Sequence, residues 1–306
     1  MDVTSFKLIS ASSRSFASPH CYRRGNAPVA AQKARHESQP SPRDAAHVAI
    51  VREIRISETD RIVAGEVAEF IVKSIERQAP GPFRVALSGG ATPKQLYERL
   101  ISPDYAARVQ WSRVEFYFGD ERCVPPDHPE SNFHLADQGL FRPLGIHSKQ
   151  IFRIAGEDPH PDQAASHYEE VLRERFLASA PLWPRFDLIL LGLGQDGHTA
   201  SLFPGAPALR EQARAVVNSE SPRGVVHRVT FTAPLINHAH RIVITVTGKE
   251  KAPAVHAVLE DETADANQYP AKLIQPIDGQ CLWYLDRAAA SRLTTTTRTA
   301  ESMRGL

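Results

Sequence analysis

The stretch from Phe186 to Gly205 constrains the fold of this chain more than any other. It begins with apolar residues, Phe186 and Leu188 to Leu191, and then a glycine-rich turn presents Asp196 and His198. An apolar run of this length between turn signals is typical of a strand buried on both faces in a parallel sheet. Ligands of open α/β sheets bind beyond the carboxyl ends of such strands, so we expect the chemistry of this protein here.

Predicted strands and helices alternate along the rest of the chain. Apolar and β-branched runs predict strands at 47–56, 83–87, 114–118, 186–191, 227–232, 241–247 and 281–285. Helical spacing of apolar residues predicts one helix after a capping box formed by Ser57 and Asp60, and others at 93–100, 132–140, 162–178 and 251–259. Such alternation is typical of a three-layer α/β fold, in which helices flank a doubly wound, mostly parallel sheet.

A glycine pair follows the second predicted strand, in the hexapeptide SGGATP at 88–93. Gly89 and Gly90 let the backbone approach a ligand closely, and Thr92 followed by Pro93 fits a helix N-cap with proline in the first helical position. Free amides at such a helix start attract an anion, and the helix dipole adds to the attraction. A plain strand-to-helix turn fits the same residues, so the hexapeptide alone leaves both interpretations open. It matches neither a Walker A loop nor a GxGxxG fingerprint.

An acidic turn, GDER at 119–122, follows the third predicted strand. Acidic residues at the carboxyl end of a strand favour a polar pocket wall, and ordinary ion pairs with Arg122 or other basic residues are the alternative. A metal site would have to draw on Asp120, Glu121, His128, Asp196 and His198. These residues have no recognised ligand spacing, so we predict that the protein holds no metal.

His198 is one of thirteen histidines, but its position distinguishes it from the others. It lies two residues after Asp196, in the turn that follows the most apolar strand. An imidazole can accept a proton from water near neutral pH, and a nearby carboxylate can stabilise its tautomer and its charged form. Whether Asp196 does this or only supports the turn is open at this point. Ser201 does not lie in a GxSxG elbow, so we do not predict it as a nucleophile.

Composition places the chain among soluble enzymes. The 306 residues carry a formal net charge of +1, with 23% charged and 42% hydrophobic residues, which argues against a nucleic-acid binder. The three cysteines lack metal-ligand spacing, and this favours free thiols in a reducing compartment. No apolar run approaches the roughly 20 residues of a membrane span.

The two ends of the chain differ in composition from its centre. Residues 1–45 are rich in Ser, Ala, Arg and Pro, and no acidic residue occurs from Val3 to His36. This composition predicts either a disordered extension or an organellar transit peptide. We therefore predict one folded domain at 46–290 and an unpacked tail at 291–306. We expect a cytoplasmic protein, or an organellar one of plastid type if the extension is a transit peptide.

Taken together, the motifs resemble the 6-phosphogluconolactonase family, within the larger group that includes glucosamine-6-phosphate deaminases. The matching segments are LSGGATP at 87–93, GDERCVPPDHPESNF at 119–133, LGLGQDGHTASLFPG at 191–205, RVTFTAPLIN at 228–237, VTGKEKA at 246–252 and LWYLDRAAA at 282–290. Deaminases share the SGG-TP and DGH elements, but they typically continue DGH with an isoleucine and carry an F-N-E-P segment. Here TASLFPG follows, which is the lactonase form, and Gln195 is a small departure from the family pattern.

The resemblance implies hydrolysis of 6-phospho-D-glucono-1,5-lactone to 6-phosphogluconate, in the oxidative pentose phosphate pathway. It implies the α/β fold already predicted, no cofactor, a small phosphosugar lactone as the partner, and a monomer or small homo-oligomer. The hypothesis that follows makes His198 the general base, with Asp196 beside it. The substrate phosphate would lie on the amides of Gly89 and Gly90 and the hydroxyl of Thr92. Its cationic partners would be Arg228 and Lys251, with Arg122 near the sugar and phosphate.

Two alternatives stay open at this point. One is a sugar-phosphate isomerase or deaminase, and the other is a non-catalytic sensor that keeps the pocket. Lys249 also competes with Lys251 as the phosphate ligand, although the TGKEKA match favours Lys251 because it directly precedes the alanine.

Overall fold

A computed structural model describes residues 52–176 and 183–294. The predicted extension, residues 47–51 of the first predicted strand and the last two residues of the predicted helix 162–178 lie outside the described residues. No helix within the described ranges is long and apolar enough to cross a membrane.

The described residues form nine strands in two sheets. The strands are β1 (Arg52–Ser57), β2 (Phe83–Leu87), β3 (Val114–Phe118), β4 (Asp120–Arg122), β5 (Leu188–Leu191), β6 (Val216–Glu220), β7 (His227–Phe231), β8 (Arg241–Val246) and β9 (Gln280–Asp286). Six of them form an all-parallel sheet in the order β1-β9-β8-β5-β2-β3. The other three form a small antiparallel sheet in the order β4-β7-β6.

Helices pack against both sheets, and those on the parallel sheet flank it as the predicted three-layer α/β fold requires. They are α1 (Asp60–Glu76), α2 (Ala91–Leu100), α3 (Pro103–Ala106), α4 (Asn132–Ala136), α5 (Arg142–Leu144), α6 (Pro161–Phe176), α7 (Ala233–Asn237) and α8 (Ala252–Leu259). The fold class predicted from the alternation of strands and helices is therefore confirmed.

The most apolar strand is the centre of the molecule. All four residues of β5 are buried, and β2 and β8 pair with it on either side. Full burial of a leucine side chain stabilises a fold by roughly 1.5–3 kcal/mol, so this strand anchors the sheet. Its carboxyl end runs directly into the turn that holds Asp196 and His198.

The small sheet differs from the prediction. The predicted strand at 227–232 exists as β7, but it pairs with β4 and β6 rather than with the parallel strands. Neither β4 nor β6 was predicted. The first has three charged residues, and the second has only two apolar residues followed by three polar ones, so both lack the apolar run that identified the others.

Two predicted helix starts are wrong. Thr59 caps α1 by accepting a hydrogen bond from the backbone N–H of Ile62 at 3.3 Å, whereas the Ser57 hydroxyl donates to Glu66 at 2.8 Å. Ser57 is the last residue of β1, which places its side chain away from the helix start. Helix α2 begins at Ala91, one residue before Thr92, and has Gly90 as its N-cap without a side-chain cap.

Packing continues past the predicted boundary at residue 290. A 3₁₀-helix spans Ala289–Arg292, and Leu293 is 5% exposed. The backbone N–H of Thr294 donates to the carboxylate of Glu260. The apolar side chain of Leu293 explains why the body extends beyond the predicted end. The division into an extension, one domain and a tail otherwise stays a prediction.

Candidate active site

A cavity of about 770 Å³ opens at the carboxyl ends of β2, β5 and β8. The small antiparallel sheet supplies another of its walls through β4 and β7. All eight residues predicted for the site line it: Gly89, Gly90, Thr92, Arg122, Asp196, His198, Arg228 and Lys251. The fold therefore brings together residues that are up to 162 positions apart in sequence, from Gly89 to Lys251 (251 − 89).

The side chains of Asp196 and His198 are hydrogen-bonded. His198 Nδ1 lies 2.6 Å from Asp196 Oδ1, and the same oxygen accepts the backbone N–H of His198 at 3.1 Å. The position of Asp196 fits both roles that the sequence left open, because its carboxylate contacts the ring and also accepts a backbone N–H that closes the turn. A carboxylate acceptor at Nδ1 favours the tautomer with the proton on that nitrogen, which leaves Nε2 as the basic atom.

The pair stays partly open to water. The side chains of His198 and Asp196 are 31% and 43% exposed. Partial burial alone raises the pKa of Asp196, but the hydrogen bonds from His198 and the charge of His198 together outweigh burial and lower that pKa to about 2. The carboxylate is therefore ionised at neutral pH beside the imidazole. The ring of Phe203 lies 4.7 Å from the imidazole, between ring centroids, and borders it on the apolar side.

The close packing of His198 and Asp196 requires a glycine at position 194, which was not among the predicted site residues. A Cβ at this position would lie 2.0 Å from His198 Nδ1 and 2.5 Å from Asp196 Oδ1. Its backbone N–H also donates to the carbonyl of His198 at 2.8 Å. Only glycine fits where the backbone passes directly under the pair. The glycine itself is visible in the sequence of the turn, but a glycine alone does not indicate which side chain packs against it.

The turn after β5 has an unusual backbone. Gly197 has φ +79 and Ala200 has φ +48. Positive φ is uncommon for a residue with a side chain, and such strained residues concentrate at functional sites. Ala200 precedes the buried Ser201, whose hydroxyl donates to Asp120 Oδ2 at 2.6 Å. Ser201 is thus engaged in the wall of the cavity rather than presented as a nucleophile.

The glycine pair lies at the start of α2, where backbone N–H groups are free of helical partners. Gly90 has φ +103, a conformation that favours glycine. A Cβ on Gly89 would lie 1.7 Å from Asn132 Oδ1, so the backbone and this side chain are in close contact. Thr92 Oγ1 lies 3.5 Å from Thr247 Oγ1, which links this loop to the loop that precedes Lys251. The arrangement suits an anion at the helix start.

Two arginines lie side by side on the small sheet. Arg122 of β4 and Arg228 of β7 are partners in the antiparallel register. Arg228 is 8% exposed, and its Nε donates to the carbonyl of Val225 at 2.8 Å. Burial lowers the pKa of Arg228, and the charge of Arg122 lowers it further. Two adjacent cations of this kind provide a site for an anion of high charge.

Lys251, and not Lys249, reaches the cavity. Lys251 is half-buried and lines it, whereas Lys249 is exposed and does not. Burial lowers the pKa of Lys251, and the charges of Glu250 and Asp196 oppose that shift. Lys251 is therefore electrostatically coupled to the carboxylate that holds His198.

Asp120 and Glu121 form none of the ion pairs of the alternative interpretation with residues that the structure describes. In the described part of the chain, Asp120 accepts bonds from Ser201 and Asn132, and Glu121 accepts three backbone N–H groups and the Ser131 hydroxyl. No three His, Cys, Asp or Glu side chains within residues 52–176 and 183–294 are grouped to hold a metal ion.

Comparison with known proteins gives one consistent family. The family model described as "Glucosamine-6-phosphate isomerases/6-phosphogluconolactonase" matches residues 58–283. A relative from Oryza sativa subsp. indica named "Probable 6-phosphogluconolactonase 2" is 36% identical over 254 residues, which cover 79% of this chain and 90% of the relative. A "6-phosphogluconolactonase" from Synechocystis is 41% identical over 223 residues, 73% of this chain and 89% of the relative.

A solved structure with a similar name is also similar to this chain. The "6-phosphogluconolactonase from Trypanosoma cruzi" has a TM-score of 0.73 and 30% sequence identity, covering 81% of this chain and 99% of that chain. A further rice relative, named "Probable 6-phosphogluconolactonase 3, chloroplastic", is 37% identical over 222 residues, 70% of this chain and 67% of the relative.

Proposed function

Because this chain belongs to the family of glucosamine-6-phosphate isomerases and 6-phosphogluconolactonases, we propose that it hydrolyses 6-phospho-D-glucono-1,5-lactone to 6-phosphogluconate. This is a step of the oxidative pentose phosphate pathway and a carboxylic ester hydrolysis. The observation that carries the proposal is the hydrogen-bonded pair of His198 and Asp196, in one cavity with a glycine loop and the cationic side chains of Arg122, Arg228 and Lys251.

His198 is the general base of the proposed mechanism. Its Nε2 takes a proton from a water molecule, which attacks the lactone carbonyl carbon. The imidazolium then returns the proton to the ring oxygen as the C–O bond breaks. A positioned general base contributes typically about 10²- to 10⁴-fold to the rate. Asp196 supports this role because its ionised carboxylate stabilises the imidazolium and fixes the tautomer.

The substrate phosphate binds at the start of α2 and on the cations. In this proposal the amides of Gly89 and Gly90 and the hydroxyl of Thr92 donate to phosphate oxygens. Arg228 and Lys251 supply charge-assisted contacts, each worth roughly 1.5 to 3 kcal/mol. Arg122, which neighbours Arg228 in the register, lies near the sugar and the phosphate.

A coupled assay on freshly generated 6-phosphogluconolactone tests the function. We expect the purified protein to accelerate hydrolysis well above the spontaneous rate. A parallel assay with glucosamine 6-phosphate separates the deaminase alternative, for which ammonia release would be the positive result. Binding of 6-phosphogluconate without any acceleration of lactone hydrolysis would favour the sensor and contradict the proposal.

We propose a cytoplasmic enzyme that acts as a monomer or small homo-oligomer, with the plastid as the alternative location. The absence of acidic residues from Val3 to His36 and the rice relative named chloroplastic support that alternative. Fusion of residues 1–50 to a fluorescent protein tests the location in cells. Import of the fusion into plastids would contradict the cytoplasmic assignment.

A further inference from the structure

The carboxylate of Asp120 is buried in the wall of the cavity without a cationic partner among the described residues. Asp120 is 7% exposed, and it takes part in no ion pair within residues 52–176 and 183–294. Its charge acts on Arg228 through space, without forming an ion pair with it. Burial of an unpaired charge is costly, so this carboxylate needs an explanation.

The next residue, Glu121, is buried more deeply than Asp120, but hydrogen bonds from the protein occupy its carboxylate. Successive residues of a strand point to opposite faces, and Glu121 is not among the residues that line the cavity. Its carboxylate accepts the backbone N–H groups of Arg122, Asn132 and Phe133 at 2.8, 2.7 and 2.8 Å, and the Ser131 hydroxyl at 2.9 Å. Glu121 therefore fixes the start of α4, which is a structural role.

Asp120 has acceptor capacity to spare on the cavity side. Oδ2 accepts the Ser201 hydroxyl at 2.6 Å, and Oδ1 accepts Asn132 Nδ2 at 3.2 Å. An ionised carboxylate has about four acceptor sites, so about two remain open, and Asp120 lines the cavity. Ser201 and Asn132 are 1% exposed, which holds the carboxylate in one orientation.

We propose that Asp120 is a specificity-determining residue that accepts hydrogen bonds from ring hydroxyls of the bound sugar lactone. The inference rests on the proposed function, because a phosphosugar lactone offers several hydroxyl donors beside its phosphate and its reacting carbonyl. A buried charged acceptor rejects an analogue that lacks its donor, since the acceptor is then left unpaired. Ser201 and Asn132 are positioning residues that act through Asp120.

A series of deoxy substrates tests this role. The 2-, 3- and 4-deoxy analogues of the phosphogluconolactone are prepared fresh by oxidation of the corresponding sugar phosphates. We expect the wild-type enzyme to lose about ten- to hundredfold in kcat/KM on at least one analogue. Asp120→Asn, which keeps the shape of the side chain, loses a similar factor on the parent lactone and little more on that analogue. The matched control Asp104→Asn, at an exposed position of α3, leaves all four substrates unchanged.

A purely structural role gives a different result. It predicts that Asp120→Asn loses the same factor on the parent lactone and on every analogue, and this outcome would overturn the inference. Equal kcat/KM of the wild-type enzyme on all four substrates would also overturn it, and needs no variant to fold. If the wild-type enzyme does not hydrolyse the parent lactone at all, the proposed function itself fails, so the two failures are distinguishable.

Discussion

At the scale of single residues, the site depends on close contacts around one imidazole. Asp196 Oδ1 lies 2.6 Å from the ring nitrogen, and the backbone of Gly194 passes beneath both side chains. Each contact has a separate physical role, so each can be removed separately.

The Asp196→Asn substitution removes the charge and keeps the shape of the side chain. We expect kcat to fall by about ten- to hundredfold, because a hydrogen bond to a charged group is worth roughly 1.5–3 kcal/mol. KM should change little, since the phosphate contacts are intact. Steady-state kinetics determine kcat and KM separately. A kcat equal to that of the wild type would show that Asp196 only supports the turn.

The Gly194→Ala substitution introduces a Cβ 2.0 Å from His198 Nδ1. Because either the ring or the backbone must move, we expect a loss of at least tenfold in kcat, in line with the sensitivity of catalysis to small misplacements. Gly65→Ala is the matched control, since a Cβ there meets nothing within 4 Å. If Gly194→Ala and Gly65→Ala retained the same kcat, the geometry described for the turn would be contradicted.

Lys251→Ala should raise KM by about ten- to hundredfold, while the matched substitution Lys249→Ala should leave KM unchanged. Burial lowers the pKa of Lys251, so its ammonium loses its proton at a lower pH than that of an ordinary lysine. Affinity for 6-phosphogluconate should therefore fall as pH rises through this lowered pKa. Calorimetric titrations of wild type and Lys251→Arg across alkaline pH test the sign, because the arginine variant stays charged and should show no such fall. An identical fall in both would assign it to another group.

At the scale of elements, the small sheet depends on a buried carboxylate that joins β4 to α4. Glu121 satisfies three backbone N–H groups and one hydroxyl at that junction. We expect Glu121→Ala to lower the free energy of unfolding by about 3 kcal/mol or more, because buried donors are left without acceptors. Urea denaturation measures this. Glu220→Ala, at an exposed position of β6, is the control and should stay within about 0.5 kcal/mol of the wild type. A similar small effect for Glu121→Ala would contradict the proposed junction.

At the scale of the whole molecule, the parallel sheet could be predicted from the sequence because its strands are continuous apolar runs. The turn after β5 and the glycine loop before α2 could be predicted too, since both follow such strands. The small sheet could not, because β4 is three charged residues whose pairing with β7 joins positions more than a hundred residues apart. The contact between Asp196 and the ring of His198, and the close approach of Gly194 to both side chains, depend on distances that residue types do not encode.

The measurement that tests the central claim most directly is the rate of lactone hydrolysis by His198→Ala, compared with the wild type and corrected for spontaneous hydrolysis. We expect kcat to fall by about 10²- to 10⁴-fold, with binding of 6-phosphogluconate retained because the phosphate contacts remain. Equal rates for the two proteins at several pH values would contradict the assignment of His198 as the water-activating base.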